Sequence, residues 1–421
     1  MVLGGGLAGL SCAEKLLDAG FAVTILEKDN HLGGLAASFE VEGEWIPKFY
    51  HHIVRSNKYT IAALTRFGVM TGAKWQRVRM SLGVNGKLYE LRKLWEFFRM
   101  PGSSVWAKLR FAAFGAYTIL KPTVPKISAQ ENAQDWLYKY CGKEATDYFW
   151  WNLYGRNKFN IPLSQISASQ FSQRLWEKEG YDYFTFPPKG LQPMIEGFSR
   201  EIQKKGGVIV LSARLSALDL AAKTLIYNGK KDTFDILVNT IPVPELIKFS
   251  HGFPDEYVTS IRKLRYCPAV GLCFATEDWL KEGVYWINLF GERVQVVMQH
   301  SVLCDKYKGK VTWCIRYGGS EEDIGLSDEQ IIREYTACLK KYFPNAKFLW
   351  IKVFKEKYAE PVYDKDYVSY APSYRTPLAW IYHAGIQVTF PKIRNQNVAL
   401  ESGYKVAEMI VQDAHECTNN P

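Results

Sequence analysis

The sequence of 421 residues contains seven histidines and eight cysteines, and neither set forms a metal-binding or redox pattern. No C-x-x-C pair occurs, and no two histidines have the H-E-x-x-H spacing of zinc enzymes. The irregular cysteine spacing argues against a disulfide framework and favours reduced thiols in a cytosol. We therefore predict no metal site, no disulfide bonds and a cytoplasmic protein.

The sequence also lacks long apolar runs and blocks of basic charge. Its most apolar segment, 111–120, has about half the length of a transmembrane helix and is flanked by basic residues. The first residues lack the basic region of a signal peptide, so we expect none. The net charge is +10, but the dispersal of lysine and arginine disfavours a nucleic-acid partner. Acidic small molecules, an anionic membrane surface or an ordinary solvated surface remain as explanations of this charge.

The length and composition are those of a folded protein with more than one core. Apolar residues make up 47% and charged residues 23% of the chain, and no segment has low complexity. A chain of this length divides into two domains more readily than it builds a single core. The sequence does not indicate an oligomeric state.

The chain opens with "MVLGGGLAGLS", in which Gly4, Gly6 and Gly9 form a G-x-G-x-x-G pattern. Apolar residues at helical spacing follow, and the β-branched run "FAVTILEK" then predicts a buried strand that ends at Glu27. A strand, a glycine turn, a helix and a second strand ending in an acid are the context of a dinucleotide-binding fingerprint. Only three residues precede Gly4, so either the first strand is short or the chain begins a few residues late.

Each part of this unit has a physical role in holding a dinucleotide. The glycines permit a tight turn, a close approach of the backbone to a pyrophosphate, and contact between helix and strand. The helix N-terminus favours the phosphates, and the acid accepts hydrogen bonds from the ribose hydroxyls. The alternative is a βαβ unit without a ligand. The candidate cofactor-binding residues are Gly4, Gly6, Leu7, Ala8, Gly9, Glu27 and Lys28.

A second glycine pair, in "GGLAAS" at 33–38, follows the acid and is similar to the pattern of flavoproteins, which favours FAD over NAD. The segment "GGGLAGLSCAEKLLDAGFAVTILEKDNHLGGLAAS" resembles the superfamily of FAD-dependent amine oxidases, protoporphyrinogen oxidases and phytoene desaturases. The fold of that superfamily also includes UDP-galactopyranose mutase. The resemblance implies that Gly33, Gly34 and Leu35 pass beneath the cofactor and that the cofactor is FAD.

Three later segments are similar to the family's remaining cofactor contacts. The segment at 189–218 would place Leu215 beside the adenine, and the strand at 234–246 would place Thr240 near the cofactor. The segment at 379–410 resembles the strand, loop and helix that reach the flavin ring in the family. Its matching positions are Gly385, Asn397 and Val398. Ile386 stands where many relatives have an aspartate, and Gln387 is a candidate to replace it.

The resemblance implies an α/β fold with a discontinuous, Rossmann-like FAD-binding domain and a mixed α+β substrate domain. We predict the FAD-binding domain over 1–60, 185–265 and 355–421. The substrate-binding domain then comprises 61–184 and 266–354, as a helical cap and an antiparallel sheet over the flavin. The pattern at 327–343 predicts a helix in which Ser327 and Gln330 form a capping box.

Four residues are candidates for catalysis or substrate binding. His51 and His52, in "KFYHHIVRSN", lie where the family's chain passes the flavin and could act as acid or base, or be structural. Pro47 and Lys48 replace the family's Asp-x-Gly just before them, so we transfer no mechanism. Arg156 and Lys158, in a segment read as a loop, could clamp a carboxylate or phosphate, or be surface cations.

The segment 91–120 combines five basic residues with many large apolar ones. One interpretation is a helix on a membrane interface that gives access to a lipid substrate. The other, which we favour, is an amphipathic cap of the substrate domain, because cap helices are the commoner use of such a pattern.

Two enzyme functions follow from the resemblance. The first is an FAD-dependent oxidoreductase that dehydrogenates a C–N or C–C bond of a small, hydrophobic or anionic organic substrate by hydride transfer to flavin N5. The second is a redox-neutral flavoenzyme of the UDP-galactopyranose mutase type that acts on a sugar nucleotide. A non-catalytic flavoprotein has no positive support in the sequence. We favour the first function.

Overall fold

A computed structural model describes residues 1–121, 127–128, 130–176 and 183–419. The helices in the described part of the chain are α1 Leu7–Asp18, α2 Lys58–Arg66, α3 Leu94–Arg99, α4 Val105–Leu120, α5 Ala133–Cys141, α6 Lys143–Ala145, α7 Ala168–Trp176, α8 Gln192–Lys204, α9 Val243–Phe249, α10 Asp255–Ile261, α11 Glu321–Ile324, α12 Asp328–Lys340 and α13 Gln396–Asn419.

The strands of the described residues fall into five sheets. They are β1 Val2–Leu3, β2 Thr24–Leu26, β3 Ser38–Val41, β4 Glu44–Pro47, β5 Ile53–Val54, β6 Gln76–Arg77, β7 Arg79–Val84, β8 Lys87–Glu90, β9 Tyr183–Thr185, β10 Val208–Val210, β11 Leu215–Asp219, β12 Thr224–Tyr227, β13 Lys230–Thr233, β14 Leu237–Asn239, β15 Ser250–His251, β16 Tyr266–Thr276, β17 Val284–Leu289, β18 Val296–Gln299, β19 Lys310–Arg316, β20 Phe348–Pro361 and β21 Ile381–His383.

A five-stranded parallel sheet in the order β10-β2-β1-β14-β21 forms the centre of the cofactor side. Every neighbouring pair in it is parallel, and strand β1 lies between β2 and β14. Strands buried on both faces read as continuous apolar runs, as in the segment that contains β2. This sheet, with helices on it, confirms the predicted α/β fold class.

Helices α1, α8 and α13 cover this sheet, and α1 packs most closely against α13. A Cβ atom on Gly9 would overlap the carbonyl oxygen of Gly4, and one on Gly403 would overlap that of Ala8. The Ser11 hydroxyl donates to the carbonyl oxygen of Leu400 at 3.0 Å, which ties the two helices together. The predicted role of Gly9, contact between helix and strand, therefore has a steric basis.

A seven-stranded sheet in the order β20-β16-β19-β18-β17-β7-β8 stands opposite the parallel sheet. The antiparallel sheet predicted within 266–354 is present as β16 to β19, whose neighbouring strands pair antiparallel. Strands β7 and β8 were missed, because the helical pattern of the surrounding segment concealed them. β7 joins β17 in parallel, so the sheet is mixed and not purely antiparallel.

The predicted boundary between 354 and 355 lies inside β20, which pairs with β16 along almost its whole length. The seven-stranded sheet therefore continues into a segment that the sequence assigned to the cofactor side. The division of the chain into two domains stays a prediction.

Two local predictions have opposite outcomes. Helix α12 begins after Ser327, whose side chain accepts from the Gln330 amide, while the Gln330 side chain accepts from the Ser327 amide; the capping box is confirmed. The segment at 150–167 was predicted as a loop, but a π-helix spans Thr146–Phe159. Packing decides this difference, because buried Phe149 stacks on Phe111 at 4.3 Å between ring centroids and buried Trp150 contacts the same ring in a tilted arrangement at 5.2 Å.

Candidate functional site

A cavity of about 1620 Å³ lies between the parallel sheet and the seven-stranded sheet. Residues one or two positions after the ends of four parallel strands line it: Gly4 after β1, Glu27 after β2, Thr240 after β14 and Gly385 after β21. Ligands of doubly wound sheets bind at this carboxyl edge. The structure therefore brings the predicted cofactor segments together at one site, although their individual roles stay predictions.

The glycine turn at the start of α1 has the shape of a pyrophosphate cradle. Gly4 has φ +101°, a conformation that a side chain would strain, and Gly6 caps the helix without a side chain. The Thr240 hydroxyl donates to the carbonyl oxygen of Leu3 at 2.7 Å and holds the end of β1 in place. Leu7 and Ala8 in the first turn of α1 are buried and line the cavity.

The second glycine pair packs against the first. Gly33 has φ +114°, and its amide donates to the carbonyl oxygen of Gly5 at 2.9 Å. A Cβ atom on Gly34 would lie 3.2 Å from Cα of Gly6. A side chain at Gly34 would fill the space between the two glycine turns. Without one, this face of the cavity fits an extended phosphate ester.

Glu27 is held in a fixed orientation at the end of β2. Its Oε2 accepts from the Gly5 amide at 2.7 Å, and its Oε1 accepts from the Asp29 amide at 2.9 Å. The side chain is buried yet lines the cavity. An oriented carboxylate with free lone pairs fits the ribose hydroxyls of a dinucleotide. The neighbouring Lys28 is exposed and pairs with Asp29, and Leu215 at the start of β11 lines the same end.

The start of α13 reaches the cavity through residues other than the predicted ones. Asn395 and Gln396 line the cavity, whereas the Asn397 side chain turns away and accepts from the amides of Tyr59 and Thr60 at 2.8 and 3.2 Å. Asn397 thereby supplies a hydrogen-bond acceptor to two backbone amides in the first turn of α2, which have no partner within the helix. Val398 is buried, and its amide donates to Asn395 Oδ1 at 2.9 Å.

Gln387 does not replace the missing aspartate. Its Oε1 accepts from the Val243 amide and the Tyr266 hydroxyl, both at 2.9 Å, and its Nε2 donates to the Ile241 carbonyl oxygen at 3.0 Å and to that of Ala384 at 3.3 Å. These four hydrogen bonds use the full capacity of the amide. The expectation that Gln387 holds a cofactor hydroxyl is therefore wrong.

His51 and His52 both line the cavity. His51 Nε2 donates to the Leu35 carbonyl oxygen at 3.0 Å, and His52 shares a hydrogen bond of 3.2 Å with the Tyr285 hydroxyl. His52 also stacks on Phe184 at 4.4 Å between ring centroids. Burial lowers the pKa of His51 to about 4 and that of His52 to about 3, so both are neutral at pH 7.

Burial has the same effect on His300, which is fully buried between Phe186 and Trp313 and has its pKa lowered to about 3. Below pH 6.5 the unfolded chain binds a proton at this residue and the native chain does not. The free energy of unfolding should therefore decrease as the pH is lowered, and this one histidine should account for about 2 kcal/mol of the decrease between pH 6.5 and pH 5. Urea unfolding of His300→Gln at both pH values should lack this part of the decrease. The exposed His251→Gln serves as control and should keep it.

A buried ionic cluster forms another part of the cavity wall. Glu360 is fully buried and accepts from Lys158 at 2.5 Å, from Arg174 at 2.6 Å and from Arg394 at 2.7 Å. Lys158 and Arg394 also stand over the Tyr317 ring, at 4.3 and 5.4 Å from its centroid. Burial outweighs the attraction of Glu360 and lowers the pKa of Lys158 to about 8.

The charges that line the cavity are unevenly distributed. In the described lining, the four carboxylates lie at the dinucleotide end: Glu27 and Asp29 follow β2, Glu245 lies on α9, and Glu356 is in electrostatic range of Lys28. The described residues that line the rest of the cavity include six cations and no carboxylate, although Glu360 lies buried against three of these cations. These cations are Arg55, Arg77, Arg92, Lys158, Arg174 and Arg394.

The structure separates the two cations that the sequence paired. Lys158 lines the cavity, whereas Arg156 is exposed and donates to the Gly291 carbonyl oxygen at 3.2 Å, outside the described lining. Sequence reasoning missed Glu360 and Arg394, since they lie more than 200 residues from Lys158 and no local pattern joins them. The sequence carries no local signal for Glu360, since only the fold brings it next to Lys158 and Arg394.

Comparison with known proteins agrees with this geometry. The profile of the family described as "Flavin containing amine oxidoreductase" matches residues 7–411. The chain is 25% identical to the 15-cis-phytoene desaturase of Glycine max over an alignment of 463 residues, which covers 98% of this chain and 79% of that protein. It is 24% identical to the 15-cis-phytoene desaturase of Arabidopsis thaliana, with coverage of 98% and 80%.

Solved structures share the fold at lower identity. A reduced UDP-galactopyranose mutase superposes with a TM-score of 0.77 at 15% identity, covering 98% of this chain and 93% of that one. An oxidoreductase from Methanosarcina mazei gives 0.72 at 18% identity, with coverage of 97% and 99%. A putrescine oxidase bound to putrescine gives 0.74 at 14% identity and 98% coverage of both chains. These likenesses show the fold alone.

Proposed function

The chain belongs to the flavin-containing amine oxidoreductase family and is an FAD-dependent oxidoreductase of small molecules, and from that premise we propose that it dehydrogenates a C–C bond of a hydrophobic substrate carrying an acidic group. The observation that carries this proposal is the charge of the cavity. Its substrate end holds cations and no carboxylate among the described lining residues. Amine substrates are cationic near neutral pH, so this end disfavours them.

Two further observations support a C–C bond and an apolar substrate. The curated relatives that cover nearly the whole chain are named desaturases. Apolar and aromatic side chains form much of the wall beyond the expected flavin position, including Leu82, Phe111, Trp150 and Trp286. A chain-like hydrocarbon gains about 25 cal/mol for each Å² of apolar surface that such a wall removes from water.

The residues of this chain would divide the work between cofactor and substrate. The glycine turns at Gly6 and Gly34 would pass the pyrophosphate, and Glu27 would bind the ribose. Asn395 and Gln396 at the start of α13 would approach the flavin ring, with the N-terminal end of the helix dipole favouring negative charge there. FAD, when bound, supplies the acceptor for the hydride of one carbon–hydrogen bond.

The ionic cluster would orient the substrate. Lys158 and Arg394 share the single carboxylate of Glu360 and both face the cavity, so an acidic group of the substrate can complete the charge balance. The carbon next to the one that loses hydride must then lose a proton. His51 and His52 are the candidate acceptors, and their low pKa values are compatible with deprotonation of a substrate cation, which needs only a weak base.

The proposal is tested by anaerobic reduction of the bound flavin, followed by absorbance. The panel is a polyene acid, its methyl ester, an aliphatic amine and a sugar nucleotide. The acid should reduce the flavin, and Lys158→Met should weaken its binding about 10- to 100-fold while leaving the ester unaffected. Arg156→Met, on the same helix but outside the described lining, is the matched control and should behave as wild type.

Other results would replace the proposal with a different one. Flavin reduction by the amine alone would favour oxidation of a C–N bond. Turnover of the sugar nucleotide only after prior reduction with dithionite, without net electron transfer, would favour the mutase type of reaction. Equal binding of the acid and its ester by wild type would remove the role assigned to Lys158.

A further inference from the structure

Helix α4 has an exposed face with no polar side chain. Every exposed position between Val105 and Leu120 carries Ala, Val, Leu, Ile or Trp, the large ones being Val105, Trp106, Leu109, Ile119 and Leu120. Trp106 is 64% and Leu120 is 79% exposed. The amphipathic cap predicted from the sequence would turn its apolar side inward, whereas this helix presents an apolar side outward as well.

The preceding helix extends this surface. Leu94 and Trp95 of α3 are 65% and 60% exposed. Seven of the thirteen exposed large hydrophobic side chains in the described residues fall within 94–120. Single exposed hydrophobic residues are ordinary, but a contiguous group of this kind marks an interaction site. We call the exposed apolar residues of α3 and α4 the apolar face.

Basic residues surround the apolar face. Segment 91–121 contains six basic residues and one acidic residue. Arg92, Lys93, Arg99 and Lys121 are exposed, although Lys93 pairs with Glu90 and Glu96. Lys108 is buried, and its ammonium donates to the carbonyl oxygens of Phe98 and Met100 at 2.9 and 2.5 Å, which holds α3 against α4. The pair of helices is thus a fixed surface that combines apolar side chains, two tryptophans and positive charge.

We propose that the apolar face docks this protein on the surface of a lipid bilayer that contains anionic headgroups. Helices with an apolar face, flanking cations and tryptophan lie in the interface of a bilayer. No helix in the described part of the chain is long and apolar enough to cross a membrane, so α3 and α4 would lie in its plane. This docking does not depend on the proposed function.

Charge argues against a second copy of this chain as the occupant. A symmetric dimer through the apolar face would place the same cations of both copies opposite one another, which is unfavourable. An anionic bilayer instead supplies apolar depth for the tryptophans and negative charge for the rim, where each basic residue strengthens binding about fivefold.

The cavity connects with the same surface. Phe111 and Ile119 of α4 line the cavity, as do Leu91 and Arg92 just before α3. Docking would therefore place one wall of the substrate end beside the apolar layer of the bilayer. An amphiphile could enter the cavity from that layer without crossing water.

The test is sedimentation with vesicles of phosphatidylcholine, with and without phosphatidylglycerol. Wild type should bind the phosphatidylglycerol vesicles, less strongly at higher salt. The double variant Trp106→Gln with Leu109→Gln should bind about tenfold more weakly or worse. The matched control is Val208→Gln with Leu349→Gln, whose side chains are 51% and 44% exposed elsewhere on the protein, and it should bind as wild type.

A second readout reports depth. Brominated lipids should quench the tryptophan fluorescence of wild type more than that of the Trp106 variant. The proposal is overturned if wild type fails to bind phosphatidylglycerol vesicles at low salt, or if both double variants bind equally well. It is also overturned if the Trp106 and Leu109 changes convert a dimer to a monomer and the dimer does not bind vesicles. Flavin reduction by a water-soluble acid stays independent of all these outcomes.

Discussion

Replacing Gly6 with alanine should strip FAD from the protein and leave the chain folded. Gly6 has φ −74°, which alanine adopts freely, and the new Cβ would meet only Cα of Gly34, at 3.9 Å. The methyl group would lie at the narrow point between the two glycine turns, where we place the pyrophosphate. Overfilling such a site costs about 1–3 kcal/mol, so flavin retention should fall about tenfold or more.

The measurements are the ratio of bound flavin to protein and the shift of the thermal unfolding midpoint on adding FAD. Gly325→Ala is the control, because a Cβ at Gly325 meets nothing within 4 Å and the site is remote from the cavity lining. Gly9→Ala should instead lose the fold itself, because its Cβ overlaps the Gly4 carbonyl oxygen. A Gly6→Ala protein with full flavin content would show that the pyrophosphate does not pass this turn.

The glycine turn belongs to the features of the fold that the sequence could predict, because they depend on residues close together in the chain. The order of Gly4, Gly9 and Glu27 along a βαβ unit is a local pattern, since helix and strand periodicities fix where each residue lies. The structure accordingly has α1 and β2 where the pattern placed them. The same local reasoning found the capping box at Ser327, whose two hydrogen bonds join residues three positions apart.

The predictions that failed depended on distant packing. The aromatic segment around Trp150 was predicted as a loop, but ring contacts of Trp150 with Phe111 and Phe171 hold it as a π-helix. Gln387 was proposed as a cofactor ligand, yet residues of α9 and β16 occupy its amide. Neither outcome could be read from neighbours in the chain, because the partners lie tens of residues or more away.

The ionic cluster at the candidate site also combines one residue that a local segment suggested with residues that only distant packing brings in. Lys158 was proposed from its own segment, while Glu360 and Arg394 had no motif to mark them. The three residues meet because the π-helix, β20 and the start of α13 converge on the cavity. A single buried carboxylate then serves several cations, which makes Glu360 the residue on which the cluster's stability depends.

Glu360→Gln should accordingly be among the most destabilising single changes in the protein. Glu360 is the only carboxylate within ion-pair distance of Lys158 and Arg394 in the described part of the chain. The change leaves these two cations without their counter-charge in a buried setting, while the glutamine keeps the volume. Removing one partner of a buried ion pair costs about 3–5 kcal/mol, which urea unfolding at pH 7 should detect.

Glu14→Gln is the matched control. Glu14 is also buried, but its partners Arg66 and Lys205 are 44% and 28% exposed and can turn towards water. Its loss should therefore cost about 1 kcal/mol. Equal effects of the two changes would mean that the Glu360 cluster is no more desolvated than an ordinary surface pair.

The pH dependence of Glu360→Gln distinguishes uncompensated charge from general damage to packing. Burial already lowers the pKa of Lys158 to about 8, and loss of Glu360 lowers it further. As pH rises towards 8, the native variant releases this proton while native wild type and the unfolded chain still hold it, so the variant should become more stable relative to wild type; above that range both native proteins have released it and the difference stops changing. Adding Lys158→Met should recover part of the loss already at pH 7. A deficit that neither higher pH nor Lys158→Met reduces would show that the cluster's positive charge is not what Glu360 offsets.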